Sequence, residues 1–84
     1  MDELIYEVRE EFQIPPYFPD SGLLNSLNEG KVRLEFLNPL AKEDDETYRM
    51  LLKNYIYYAY HHKVHEFEDN YGSLILTWQM GAKR

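Results

Sequence analysis

Hydrophobic residues recur at helical spacing along most of the chain. Leu4, Ile5, Val8 and Phe12 predict a first helix over 2–12, with Asp2 as its cap and Glu3 in the first turn. Ile14-Pro15-Pro16 must end it, because a residue preceding proline is pushed out of the α region, and 13–19 reads as an extended loop. Asp20 and Ser21 stand where a cap belongs for a second helix over 20–37. Its Leu23, Leu27, Gly30, Leu34 and Leu37 step by four, three, four and three residues into one stripe. A glycine inside that stripe costs roughly 1 kcal/mol against alanine. It predicts either the close approach of another backbone or a tolerated surface position. Asn38-Pro39 ends the helix.

The third helix, predicted over 44–68, carries most of the information. Glu43, Asp44, Asp45 and Glu46 place carboxylates at its start, where the helix dipole favours negative charge. Tyr48, Leu51, Leu52, Tyr55, Ala59 and His62 fall on one face at 100° per residue, and Met50, Tyr57, Tyr60 and Val64 on a second, roughly opposite face. Tyrosine and isoleucine also favour sheets, but the acidic start and the two stripes favour helix over strand for 55–60. A helix apolar on two sides needs more than one small bundle to cover it, so Met50, Tyr57, Tyr60 and Val64 are read as a subunit interface. Asp69-Asn70-Tyr71-Gly72 reads as a turn. Residues 73–80 then form a short helix, or a strand added to a partner, before a frayed Gly81-Ala82-Lys83-Arg84 end. The fold class expected is all-α, a small bundle of three to four helices in a single domain over 1–84.

Composition narrows the function. The 84 residues contain no cysteine, which removes disulfides and thiolate metal sites. The acidic opening MDELIYEVREEF lacks the basic start and apolar run of a signal peptide, and no stretch reaches the ~20 apolar residues of a membrane span. Cytosolic synthesis and no membrane partner are expected. The net charge of -6 opposes nucleic-acid binding, which needs clustered Lys and Arg. Eight Tyr, four Phe and one Trp are many for such a chain, and aromatic side chains concentrate at the centres of protein interfaces.

Candidate chemistry is sparse. His61 and His65 stand four apart, a spacing that suits two helical zinc ligands, with Glu68 or Asp69 as a third, but no Glu lies between them as a zincin needs. Surface or interface histidines are the simpler reading. Ser21, Ser26 and Ser73 lie outside any nucleophile elbow, and no glycine-rich loop holds a phosphate. No catalytic residue, metal or cofactor is expected, and the chain reads as a non-enzyme.

The order of features resembles the small head–tail connector proteins of tailed bacteriophages, also called adaptor or head-completion proteins. An acidic stretch leads to an R-x-L-L-x-x-Y helix, here Arg49, Leu51, Leu52 and Tyr55, and then to an x-E-F-x-x-N-[FY] segment, here Glu66, Phe67, Asn70 and Tyr71. The resemblance covers nearly the whole chain. It implies a helical subunit of a ring, commonly of twelve copies, at the head–tail interface of the virion. Such a ring sits below the portal protein, extends the DNA channel and carries the tail or stopper protein. Assembly would take place in the host cytoplasm. The resemblance also implies a portal-docking C-terminal segment, by position Leu74, Ile75, Leu76, Trp78 and Met80, and DNA passing without specific binding. Carboxylates repel phosphate, so Glu43, Asp44, Asp45 and Glu46 are candidates for the channel lining, or equally for a solubilising surface. Two other readings compete. One is a small acidic regulatory protein, inhibitor or antitoxin-like, that masks a basic surface. The other is stacking of single-stranded nucleic acid on the Tyr57/Tyr60 stripe, for which only Arg49, Lys53 and Lys63 supply nearby positive charge.

Overall fold

A computed structural model describes residues 3–82, which form α1 (Glu3–Glu11), α2 (Asp20–Leu37), α3 (Glu46–Tyr60) and α4 (Val64–Ala82). The described residues contain no strand. The expected cap at Asp2 and the basic pair Lys83-Arg84 lie outside the described residues.

Each helix ends for a local reason. After α1 the chain turns at Gln13, whose φ of 52° is left-handed, and Ile14 N donates to Arg9 O at 3.1 Å. That five-residue reach back over a left-handed residue is a Schellman closure. Arg9 then fixes the proline loop. Its guanidinium donates to Asp20 Oδ1 at 3.0 and 2.7 Å, to Pro15 O at 3.2 Å and to Phe18 O. Asp20 is thus spent on Arg9, and the cap of α2 is Pro19, which supplies no side-chain acceptor. At α3, Asp45 Oδ1 accepts from Thr47 N at 2.9 Å and Tyr48 N at 3.3 Å, a full N-cap.

The helix expected over 44–68 is two helices. His62 adopts φ 58°, and Lys63 N reaches back to Tyr58 O at 2.8 Å, a second Schellman closure. The chain reverses there, and α4 returns along α3. The turn expected at Asp69–Gly72 is absent, because α4 runs through it without a break. Phe67, Tyr71, Leu74, Ile75 and Trp78 keep one face of α4 against the core through that stretch, and nothing lies within 4 Å of where a Cβ on Gly72 would sit.

α3 is therefore the centre of the bundle, with α1, α2 and α4 all packed on it. Its core residues Tyr48, Leu51, Leu52, Tyr55 and Ile56 are buried, and they meet Leu4, Ile5 and Val8 of α1, Leu23, Leu27 and Leu34 of α2, and Phe67, Ile75 and Trp78 of α4. A ladder of charges sets α1 parallel to α3. Arg49 binds Glu3 at 3.5 Å and Glu7 at 2.6 Å, and Lys53 binds Glu7 at 3.4 Å and Glu11 at 2.8 Å. The Glu11 carboxylate holds the Lys53 ammonium above its ordinary pKa, with Glu7 adding to the effect.

Two tyrosines tie α3 to α2: Tyr48 OH donates to Glu35, and Tyr55 OH donates to Glu29 Oε1 at 2.5 Å. Burial pushes both phenols well above their ordinary range, and the accepting carboxylates push further; burial also raises Tyr71. Unfolded tyrosine titrates near pH 10. Above that pH the unfolded chain releases protons that the folded chain keeps, so stability is complete below about pH 10 and falls as pH rises. The slope reaches at most about 1.4 kcal/mol per pH unit for each of the buried Tyr48 and Tyr55. Thermal melts should be flat to about pH 9.5 and decline beyond it. The Tyr48→Phe/Tyr55→Phe variant should decline less, and a wild-type melting temperature unchanged through pH 11 would contradict the assignment.

Gly30 is buried, so it is not the tolerated surface position, and the atoms nearest it are side chain and not the backbone of the other alternative. A Cβ there would lie 2.9 Å from Tyr55 Cδ1, 3.2 Å from its Cγ and 3.3 Å from Leu52 Cδ2. Tyr55 cannot easily retreat, since its hydroxyl is held by Glu29 and its ring meets Phe67 edge-on at 5.3 Å. Gly30→Ala gains about 1 kcal/mol of helix preference, and overpacking costs about 1–3 kcal/mol. A net loss of about 1 kcal/mol should appear in urea denaturation, against the gain an open helical glycine would show.

Candidate functional site

The four residues read as a subunit interface do not form one open face. The Tyr57 ring stacks on Phe12 at 4.3 Å, and Tyr60 meets Phe18 edge-on at 4.8 Å. The chain's own α1–α2 connection thus covers both. Val64 opens α4 and packs against the core, while Met50 alone stays open, at 37% exposure. The second apolar side of α3 is thus partly covered within the subunit, its tyrosines by the α1–α2 connection, and none of the four residues is fully buried.

The C-terminal set divides along α4. Ile75 and Trp78 are buried, and Leu74 packs at the core's edge, so these three belong to the subunit itself. Trp78 stacks on Tyr48 at 5.6 Å and donates from Nε1 to Asp45 Oδ2 at 2.8 Å. Leu76 and Met80 point outward, at 58% and 61% exposure. Among the acidic residues, Asp45 turns inward, one oxygen capping α3 and the other holding Trp78. Glu43 lies 3.9 Å from Lys31, while Asp44 and Glu46 are exposed.

The histidines do not share a helical face. His61 and His62 lie in the α3–α4 turn and His65 in α4, and no group of three His, Asp or Glu among the described residues is placed to hold a metal. His61 packs edge-on against Tyr57 at 4.6 Å and Tyr60 at 5.0 Å. Beside it, an open cleft of about 290 Å³ is lined by Tyr57, Tyr58, His61, Lys63, Glu66 and Asn70. Asn70 Nδ2 donates to Tyr58 OH there, at 2.9 Å. The cleft offers hydrogen-bonding groups and aromatic rings. No helix among the described residues is long and apolar enough to cross a membrane.

Reading the stripes missed the apolar residues that do reach solvent. On α2 these are Val32 and Phe36, at 72% and 83% exposure. Leu37 and Leu40 follow them toward the α2–α3 loop, and Tyr6 and Tyr17 are exposed near the other end of α2. Val32 and Phe36 stand four apart, opposite the leucine stripe, and that spacing was the available signal. Gln79 Nε2 donates to Leu37 O at 2.7 Å, which brings the C-terminal ends of α2 and α4 together. Leu37, Leu40 and Met80 therefore share one end of the bundle, while the α1–α2 connection and the α3–α4 turn share the other. Comparison of the chain with family models, with curated proteins and with solved structures gives no match.

Proposed function

We propose that the chain is a structural subunit of a tailed-phage particle, a head–tail connector that assembles as a ring below the portal. One observation carries the reading: the two segments that hold the resemblance pack on each other. Leu51, Leu52 and Tyr55 of α3 and Phe67 of α4 are buried together, Tyr55 meets Phe67 at 5.3 Å, and Tyr71 OH donates to Asn54 Oδ1 at 3.0 Å. Arg49 of the same motif anchors α1 through Glu3 and Glu7. The spacing of the motif residues is thus the spacing of one structural unit.

In this reading the bundle end carrying Leu40 and Met80 meets the portal, and Ile75 and Trp78 support α4 from within. Asp44 and Glu46 face the channel, where carboxylates keep DNA phosphates from adhering. Twelve copies follow from the resemblance. The ring and the portal contact are tested together by light scattering and negative-stain microscopy of the purified chain, with and without a tailed-phage portal protein. Rings matching the portal's symmetry are expected. A fixed one-to-one complex with a basic protein, or no association with the portal, would overturn the reading in favour of an inhibitor.

A further inference from the structure

α3 ends at Tyr60 and α4 begins at Val64, so the chain reverses within His61, His62 and Lys63. The left-handed residue of that turn, a place glycine ordinarily takes, is His62. A side chain held at positive φ is less stable than the same residue in a right-handed helix. Nothing in the sequence breaks a helix here: neither glycine nor proline occurs from Leu40 to Tyr71. If residues 61–63 rewind, their backbone groups find ordinary helical partners, and α3 and α4 become one helix over 46–82. At 1.5 Å per residue that helix is roughly 55 Å long and carries α4 away from its own subunit.

Opening strips the core: Phe67, Ile75 and Trp78 leave it, with Trp78 drawn off Tyr48 and Phe67 off Tyr55. The face they vacate is matched to α4 along its length. Trp78 binds Asp45 at the start of α3, Tyr71 binds Asn54 farther along, and Asn70 binds Tyr58 near the turn. A second copy opened in the same way brings an identical α4 to that face and restores these contacts in both subunits. The occupant is therefore specified by the contacts themselves, and a partner lacking this helix does not reproduce them. Association still costs freedom of motion, and two copies of net charge -6 repel. The closed chain thus prevails when dilute, and exchange needs high concentration. Short, strained hinges are where such exchange occurs.

We infer that His62 is a hinge at which the α3–α4 hairpin opens into one helix, and that two opened copies exchange α4 to form a dimer. The inference stands apart from the connector reading and needs no ring. Detaching α4 means breaking the core, so the closed and exchanged forms interconvert slowly and separate by size.

Thr47 and Thr77 line one cleft between the start of α3 and the end of α4, far from the turn, and the chain has no cysteine. Thr47→Cys/Thr77→Cys is unfolded in urea, refolded at millimolar or micromolar concentration, fractionated by size and treated with a short bismaleimide. In the closed chain the reagent joins a subunit to itself. In the exchanged dimer it joins two subunits, which then run together on a denaturing gel. A covalent dimer is expected from the concentrated refolding, and self-linked monomer from the dilute one. Adding His62→Gly should lower the dimerisation constant about a hundredfold or more, because glycine favours the left-handed turn and disfavours the helix, at two hinges per dimer. Its monomer should melt at or above the parent's temperature. Adding His62→Ala, which favours helix, should raise the constant. A concentrated His62→Ala sample that stays monomeric, or a dimer whose links stay within each chain, overturns the inference. So does a dimer equally abundant with His62→Gly.

Discussion

Trp78→Ala should destabilise the isolated chain by about 3–5 kcal/mol, the cost of emptying a buried tryptophan site. A domain of this length has only about 4–13 kcal/mol in total, so the variant should be partly unfolded near body temperature. The effect reaches beyond the lost volume. Trp78 stacks on Tyr48, and its N–H binds the second oxygen of Asp45, whose first oxygen caps α3. Removing the indole leaves that half-buried carboxylate oxygen without its donor and loosens the start of the central helix. Trp78→Phe keeps a ring against Tyr48 and loses the hydrogen bond, for about 1–2 kcal/mol. Urea denaturation followed by circular dichroism separates the three proteins. A Trp78→Ala chain that melts like wild type would make the C-terminal segment a free tail rather than part of the core.

Much of the fold was legible because its cues are local. Paired prolines stop α1, the leucine stripe marks the buried face of α2, and acidic residues precede α3. The reversal between α3 and α4 was not. Left-handed turns are usually marked by glycine, and here the position is filled by His62, just as Gln13 fills it after α1. With no visible break at 61–63, α3 is drawn too long. Gly72 and Asn70 then suggest a turn where the helix continues. Yet Phe67, Tyr71, Leu74, Ile75 and Trp78 stand four, three, one and three residues apart, a helical face spanning the supposed turn. Following that spacing would have yielded α4 and, with it, the cover for α3.

The four residues read as an interface are partly covered by the chain itself and keep part of their surface open. Two apolar faces on α3 were counted correctly, but the partner for the second was found within the chain, in Phe12, Phe18 and α4. The apolar side chains most open to solvent on α2 and α4 include Val32, Phe36 and Leu76 instead. In sequence Val32 stands between two basic residues, whereas Phe36 adjoins Leu37 and Leu76 follows Leu74 and Ile75, so only the fold separates the open side chains from the buried ones.

Leu52→Ala should cost about 2–5 kcal/mol, toward the upper part of that range. Leu52 is 0% exposed, and its Cδ2 lies 3.3 Å from where a Cβ on Gly30 would be. Position 30 has no side chain that can move into the void, and Tyr55 is tethered by Glu29, so the site cannot collapse. Thermal unfolding should fall by roughly 10 °C or more. Met50→Ala, two residues earlier on the open side, should stay within about 0.5 kcal/mol. The tighter test joins both ends of the contact. Gly30→Ala is destabilising alone because its methyl meets Tyr55 and Leu52, and Leu52→Ala is destabilising alone because it leaves space beside Gly30. In the double variant the new methyl can shift into that space, so the loss should be smaller than the sum by about 0.5–1.5 kcal/mol, the coupling expected of residues in contact. Strict additivity would mean that α2 and α3 do not approach at Gly30, and the packing of the central helix would have to be redrawn.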